Sequence, residues 1–179
     1  WTVGMNEEEF FLAVLNQQGF DGDKQKICAQ LAQVGTVKSV PALAKCLQDE
    51  ITSHAARLAL AAMPYPEALA ALRDALAVTT GTAKAGIIES LGTKGNPEDV
   101  SLLAPFLEDA DPAIVMSTAL ALGKIADAAC VEPLKGAARK ATGRTQSVAL
   151  DSLLCCAESL CATDKEKAYT LYNELYHEW

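Results

Sequence analysis

Aromatic residues are scarce. They make up 6% of the 179 residues, while half of the chain is hydrophobic. The apolar mass is therefore mostly Ala, Leu and Val, which disfavours a β-sandwich and favours helices. Positive charge is also short: 15 basic residues face 23 acidic ones, a net −8. A domain with that balance is a poor binder of phosphate backbones, so nucleic acid is not expected as a partner. No apolar run approaches the roughly 18 residues that span a membrane. No charged segment leads into an apolar one at the start, as a signal peptide requires. The first residue is Trp1, not Met. That points to removal of something upstream, whether a signal segment, a neighbouring domain or a tag, and leaves the location as cytoplasmic or exported. The length predicts a single domain over 1–179, long enough to bury its own core.

The side chains that carry chemistry are few. His54 and His177 are the only histidines, and neither belongs to a His-Glu-x-x-His pair. No Gly-x-Ser-x-Gly elbow occurs. Gly81 and Gly86 have the spacing of a phosphate loop, but Ile87 and Ile88 follow where Lys and Ser or Thr are required. Cys28, Cys46, Cys130, Cys155, Cys156 and Cys161 form no Cys-x-x-Cys motif, so zinc ligation is not expected. They read as free, buried thiols acting as small hydrophobes. Facing residues of antiparallel helices have a nearly constant sum of residue numbers. With one turn near 36 and another near 142, that sum sets Cys28 opposite Cys46, and Cys130 beside Cys155 and Cys156. An oxidising compartment would bridge such pairs and a cytosol would leave thiols. The expectation is no enzyme, no cofactor and no metal.

What the chain does have is a repeat. Leu60, Leu91, Leu122 and Leu153 are spaced by 31, as are Leu72, Leu103 and Leu134. The 12-residue step from Leu31 to Leu43 recurs at Leu60–Leu72, Leu91–Leu103 and Leu122–Leu134, and only the inner turn near Asp49–Thr52 is two residues short. Within a unit, Leu69, Leu72 and Leu76 fall at i, i+3 and i+7, as do Val100, Leu103 and Leu107, the stripe of an amphipathic helix. A second helix follows in each unit, such as 113–125 or 146–160. Gly81, Pro112 and Gly143, again 31 apart, mark the turn inside each unit. Asn96 and Asp111 precede Pro97 and Pro112 as helix caps. The pattern predicts five helical hairpins near 6–35, 37–63, 66–94, 97–126 and 128–161. A closing helix follows at 164–178. Small residues such as Ala56, Ala59, Ala119 and Ala121 in the second helices would let neighbours approach closely. A hairpin cannot bury its apolar face alone, so the expected fold is all-α, a stack of hairpins sharing one core.

The row Asp111-Pro112-Ala113-Ile114-Val115-Met116-Ser117-Thr118-Ala119-Leu120-Ala121-Leu122-Gly123-Lys124-Ile125, followed by Val131-Glu132-Pro133-Leu134, resembles a HEAT repeat. It is most similar to the short bacterial HEAT-like, phycocyanobilin-lyase-type repeats. Val40-Pro41-Ala42-Leu43 and Leu91-Gly92 with Val100 and Leu103 match more loosely, and the resemblance covers about residues 6–160. It implies a right-handed α-solenoid and a non-enzymatic scaffold that binds a protein or peptide on its concave face. The alternative it leaves open is an accessory or chaperone-like module for an enzyme or a bilin-type ligand. The family often places an Arg early in the second helix. Here those positions hold Ser53-His54, Lys84-Ala85, Val115-Met116 and Gln146-Ser147, and only Lys84 keeps a positive charge. HEAT-like hydroxylases bind iron through repeated His-Glu pairs; the one such pair here, His177-Glu178, lies outside the repeats.

Taking the leucines at 60, 91, 122 and 153 as core, residues two and six places earlier point off that stripe. They are Leu58, Glu89, Leu120 and Asp151, then His54, Ala85, Met116 and Ser147. His54, Glu89, Met116 and Asp151 are the candidates to border a binding groove, with the alternative that Leu58, Leu120 and Met116 are core. Residues 97–111 are acidic and 124–144 carry a surplus of 5 − 2 = +3, either solvated faces or a docking patch. Glu7, Glu8 and Glu9 read as first-turn acids favoured by the helix dipole. In the closing helix Leu171 and Leu175 are expected to dock on the fifth hairpin. Tyr169 and Tyr176, at the edge of its apolar arc, are candidates to face a partner or a further domain.

Overall fold

The computed structural model describes residues 6–17 and 21–179, and among them every regular element is helical. The α-helices are α1 (Glu7–Leu15), α2 (Asp21–Val34), α3 (Val40–Cys46), α4 (Ser53–Ala62), α5 (Pro66–Ala75), α6 (Gly81–Lys94), α7 (Val100–Leu103), α8 (Pro112–Ile125), α9 (Val131–Lys140), α10 (Gly143–Thr163) and α11 (Lys165–Glu178). They form two compact units, Trp1–Ser90 and Leu91–Trp179, with the division falling inside α6.

In the first unit α2 packs on α1 and α4, and α3, α4 and α5 pack on one another. Leu31, Leu43, Leu47, Leu60, Leu72, Ile87 and Ile88 are fully buried. The capping box at α1 is closed: the Asn6 side chain accepts the Glu9 N–H at 2.9 Å, and Glu9 accepts the Asn6 N–H at 3.2 Å. Glu8 departs from the first-turn reading. It is buried, and its carboxylate accepts the Thr36 N–H at 2.7 Å and the Ser39 hydroxyl at 2.6 Å. It thus fastens α1 to the turn that opens α3. Three acids in a row hid which one turns inward. The short turn near 49 is held by Asp49, whose Oδ1 accepts the N–H groups of Ile51 and Thr52 at 3.0 and 2.9 Å. This local turn replaces the two missing residues.

In the second unit α10 is the hub, packed on α8, α9 and α11. Leu91, Leu103, Leu122, Leu134 and Leu153 are fully buried. The first helix of the fourth hairpin is not continuous: α7 is a single turn between 3-10 turns at Pro97–Asp99 and Ala104–Glu108. Pro105 supplies no N–H for an α-helical bond there, and the chain tightens instead. α8 starts at Pro112 with Asp111 accepting the Ala113 N–H at 2.9 Å. It ends in Ala126 with φ +50°, where Gly95, at the same position of the preceding repeat, has φ +67°. The same left-handed stop is thus made once with glycine and once against the preference of alanine.

The close approach foreseen from alanines is made at Ala121, and glycines share in it. A Cβ on Gly92 would lie 2.6 Å from the Ala121 Cβ and nearer still to its Cα, and one on Gly123 would lie 2.6 Å from the Ser152 hydroxyl. Each pair joins the second helices of consecutive repeats. Gly136, inside α9, has nothing near its missing Cβ. Gly92→Ala is therefore expected to cost about 1–3 kcal/mol, because backbone must move to admit the methyl group. Gly136→Ala is expected to add about 0.5–1 kcal/mol through helix propensity. Thermal melts of the two variants should shift in opposite directions.

Glu8 gives a pH prediction. Burial pushes its carboxyl up, but the hydrogen bonds from Ser39 and Thr36 outweigh this and hold it below the usual range. A depressed folded-state value stabilises the protein above the unfolded value and is lost as pH falls through the folded one. The unfolded chain binds the proton first. Glu8→Gln should lower stability at pH 7 by about 1–3 kcal/mol and flatten the loss of stability below about pH 4.5. Melting curves at stepped pH check both.

Candidate interaction surfaces

The stripe two residues before the buried leucines divides cleanly by burial. Leu60 and Leu122 are fully buried, whereas Leu58 is 50% and Leu120 41% exposed. Neither belongs to the core, so the alternative that assigned them there does not hold, and Met116 on the same face of α8 is half-buried. Glu89 is half-buried on α6, and His54 and Asp151 are exposed on α4 and α10.

One of these residues, His54, is held in the first unit by Arg57, which the repeat pattern does not single out. Arg57 Nη1 donates to the Ser90 hydroxyl at 2.9 Å, and Nη2 lies 2.9 Å from His54 Nδ1. Burial pulls the guanidinium below its ordinary value, and the charge of Glu89 pushes it back. Arg57 lies over Gly86, where a Cβ would come within 2.7 Å of Nε. The positive charge expected early in the second helix thus sits one turn later in α4. The available signal was Gly86, a glycine inside a helical pattern, offset from Arg57 in sequence as Ala121 is offset from Gly92. Gly86, which has the spacing of a phosphate loop relative to Gly81, serves this packing instead.

Asp49, Ser53, His54, Arg57, Thr80 and Gly81 are among the residues lining an open cavity of about 520 Å³ in this unit. Asp, Ser and His are therefore close, but they are not connected as a catalytic relay. His54 Nδ1 faces Arg57, and Asp49 Oδ1 accepts backbone N–H groups. A nucleophile needs a base within hydrogen-bond reach, and no bond from Ser53 to His54 is made among the described residues. No group of three metal-ligating side chains occurs among them either, and no helix among them is long and apolar enough to cross a membrane.

The second unit resolves the charge asymmetry. Lys140 pairs with Glu108 at 2.7 Å, Arg139 with Glu178 at 2.6 Å, and Lys135 with both Glu132 and Glu174. Burial pulls the Lys135 ammonium down, but its two carboxylates raise it overall. Three of the five cations of 124–144, Lys135, Arg139 and Lys140, are thus engaged in ion pairs within the unit. In α11, Asp164 caps the helix by accepting the Lys167 N–H at 3.1 Å. Ala168 and Leu171 are buried against the unit, and Leu175 is half-buried. Tyr169 and Tyr176 point into solvent, Tyr176 with 83% exposure. Leu150, Leu154, Tyr172, Leu175, Tyr176 and Trp179 line an open apolar cavity of about 560 Å³ between α10 and α11.

The six cysteines are free thiols, with Cys155 and Cys161 exposed. The thiols of Cys28 and Cys46 share a hydrogen bond, and so do those of Cys130 and Cys156. These are the facing positions given by the constant-sum argument. Each pair joins consecutive helical segments within one unit.

Helical pairs that bury identically spaced leucines define an α-helical repeat protein. Residues 79–154 match the family model of HEAT repeats. No curated protein matches the chain.

The shared hydrogen bond lowers Cys46 to about 7, with the Cys28 S–H stabilising the thiolate, while Cys28 is pushed up. Alkylation of Cys46 by iodoacetamide, followed by peptide mass spectrometry, should rise with an inflection near pH 7. Cys28→Ala removes the donor and should move that inflection to higher pH.

Proposed function

We propose that this protein is a non-enzymatic scaffold that binds a partner protein or peptide through surfaces carried by its second helices. HEAT repeats commonly mediate protein–protein interaction and the family is typically non-enzymatic. The observation that carries the reading is the exposure of Leu58 and Leu120 at matching repeat positions, two residues from leucines that are fully buried. Large aliphatic side chains kept in water at a repeated position serve contact with something else. In the first unit that face presents His54, Leu58 and Glu89, with Arg57 bonded to both His54 and Ser90. In the second it presents Met116, Leu120 and Asp151. An apolar centre with charged residues beside it is the composition of a protein-binding surface. The pairing of His54 and Asp49 with other groups supports a binding role over hydrolysis at the neighbouring cavity.

Photo-crosslinking in the source cells tests this. A photoreactive residue placed at position 58 or 120 should give one discrete adduct with the same protein, and placement at the exposed Ser101 should not. Leu58→Glu with Leu120→Glu should abolish the contact while changing the melting temperature by only a degree or two, because neither side chain is core. Equal crosslinking from Ser101, or none from 58 and 120, sinks the reading.

A further inference from the structure

The groove between α10 and α11 has the form of a helix seat, and the repeat shows why. α10 packs on α8 and α9 together, with Ser152 pressed against Gly123. α11 follows α10 and packs on it, as α9 follows and packs on α8. A helix laid on α10 and α11 would repeat the way α10 lies on α8 and α9. The residues on those faces correspond at the repeat spacing: Ala119 to Leu150 and Gly123 to Leu154. Ala119 and Gly123 are buried, whereas Leu150 is half-buried and Leu154 is 41% exposed. Where the earlier surface is small and covered, the later one is aliphatic and open. Tyr172, Leu175, Tyr176 and Trp179 extend it along α11.

Charge at the rim selects the occupant. Asp151 and Glu158 are exposed along one edge of the α10 face. Glu158 lies near enough to Tyr172 that, after burial and Cys161, it helps hold the phenol's proton on. The neighbouring cations Lys135 and Arg139 are already paired with Glu174 and Glu178. Arg144 is on α10 but nearly two turns before Leu150. The lining is therefore apolar and its α10 edge is acidic.

We propose that this groove is the docking site for an amphipathic α-helix of a partner protein, with an aliphatic face seated on Leu150, Leu154, Tyr172 and Trp179 and lysine or arginine along the edge facing Asp151 and Glu158. This is helix-in-groove recognition, in which anchors at i, i+3, i+4 and i+7 fill an apolar trough. The seat shares Asp151 with the stripe of Leu58 and Leu120, but its apolar lining on α10 and α11 lies outside that stripe, and Leu154→Glu and Tyr176→Ala test the seat without touching the stripe.

Fluorescence anisotropy with the 179-residue chain tests the proposal. The probe is a labelled peptide of about four helical turns, built of Leu, Ala and Lys, with leucines at i, i+3, i+4 and i+7. Saturable binding is expected, weakened at least tenfold by Leu154→Glu and by Tyr176→Ala, both at exposed side chains whose loss leaves the melting temperature unchanged. Leu154→Glu adds a negative charge, so a loss of binding to a lysine-rich peptide reports the apolar seat and not bulk attraction. Asp151→Lys with Glu158→Lys should weaken binding several-fold and reduce its salt dependence. The proposal is overturned if the parent chain shows no saturable binding, if both exposed-site variants bind as the parent does, or if a peptide with scrambled leucine spacing binds equally. Sedimentation that shows the protein alone forming a dimer abolished by Leu154→Glu would also overturn it, since the occupant would then be a second copy.

Discussion

Close contact between the second helices of consecutive repeats is the constraint on which much of this structure depends. It lets Gly92 meet Ala121 and Gly123 meet Ser152 with no side chain between them. It also sets Gly86 beneath Arg57. At that separation the leucines at 60, 91, 122 and 153 are fully excluded from water. Apolar burial is the main favourable term in folding, and here it requires two helices to approach backbone to backbone. The cost falls on residue choice: glycine in a helix interior is unfavourable by roughly 0.5–1 kcal/mol relative to alanine. Gly92 and Gly123 are retained because packing outweighs propensity.

The polar side chains mostly secure joints that burial alone leaves loose. Glu8 ties α1 to the turn before α3, Asp49 shapes the shortened turn before α4, and the Arg139–Glu178 pair holds the end of α11 against α9. Exposed ion pairs contribute little to stability, but pairs in the second unit also engage three of the five cations of 124–144, Lys135, Arg139 and Lys140. That balance agrees with the net charge of −8. Apolar side chains also stay open to solvent: Leu58 and Leu120 on the second helices, half-buried Met116, and the trough between α10 and α11.

The cysteines show the same division between covalent potential and packing. Cys28 with Cys46 and Cys130 with Cys156 come together because helices joined by short turns must run antiparallel. Their thiols share hydrogen bonds within partly apolar surroundings. A disulfide requires sulfurs about 2.05 Å apart with a χ3 near 90°. The arrangement brings each pair together and leaves oxidation to the surroundings.

The sequence by itself determined the helical class, the period of the leucines, the turns at Gly81, Pro112 and Gly143, the caps at Asn96 and Asp111, and the facing cysteines. All of these are local or periodic, so they follow from spacing and backbone chemistry along one chain. The tertiary structure alone decided that Leu58 and Leu120 face water, that Glu8 turns inward among three adjacent glutamates, and that Arg57 links His54 to Ser90. It also decided that Leu150 and Leu154 stay open where Ala119 and Gly123 are covered. Each of these depends on which residue of a neighbouring helix occupies the adjoining space. Periodicity says that a face is apolar, but only packing says whether another helix lies against it.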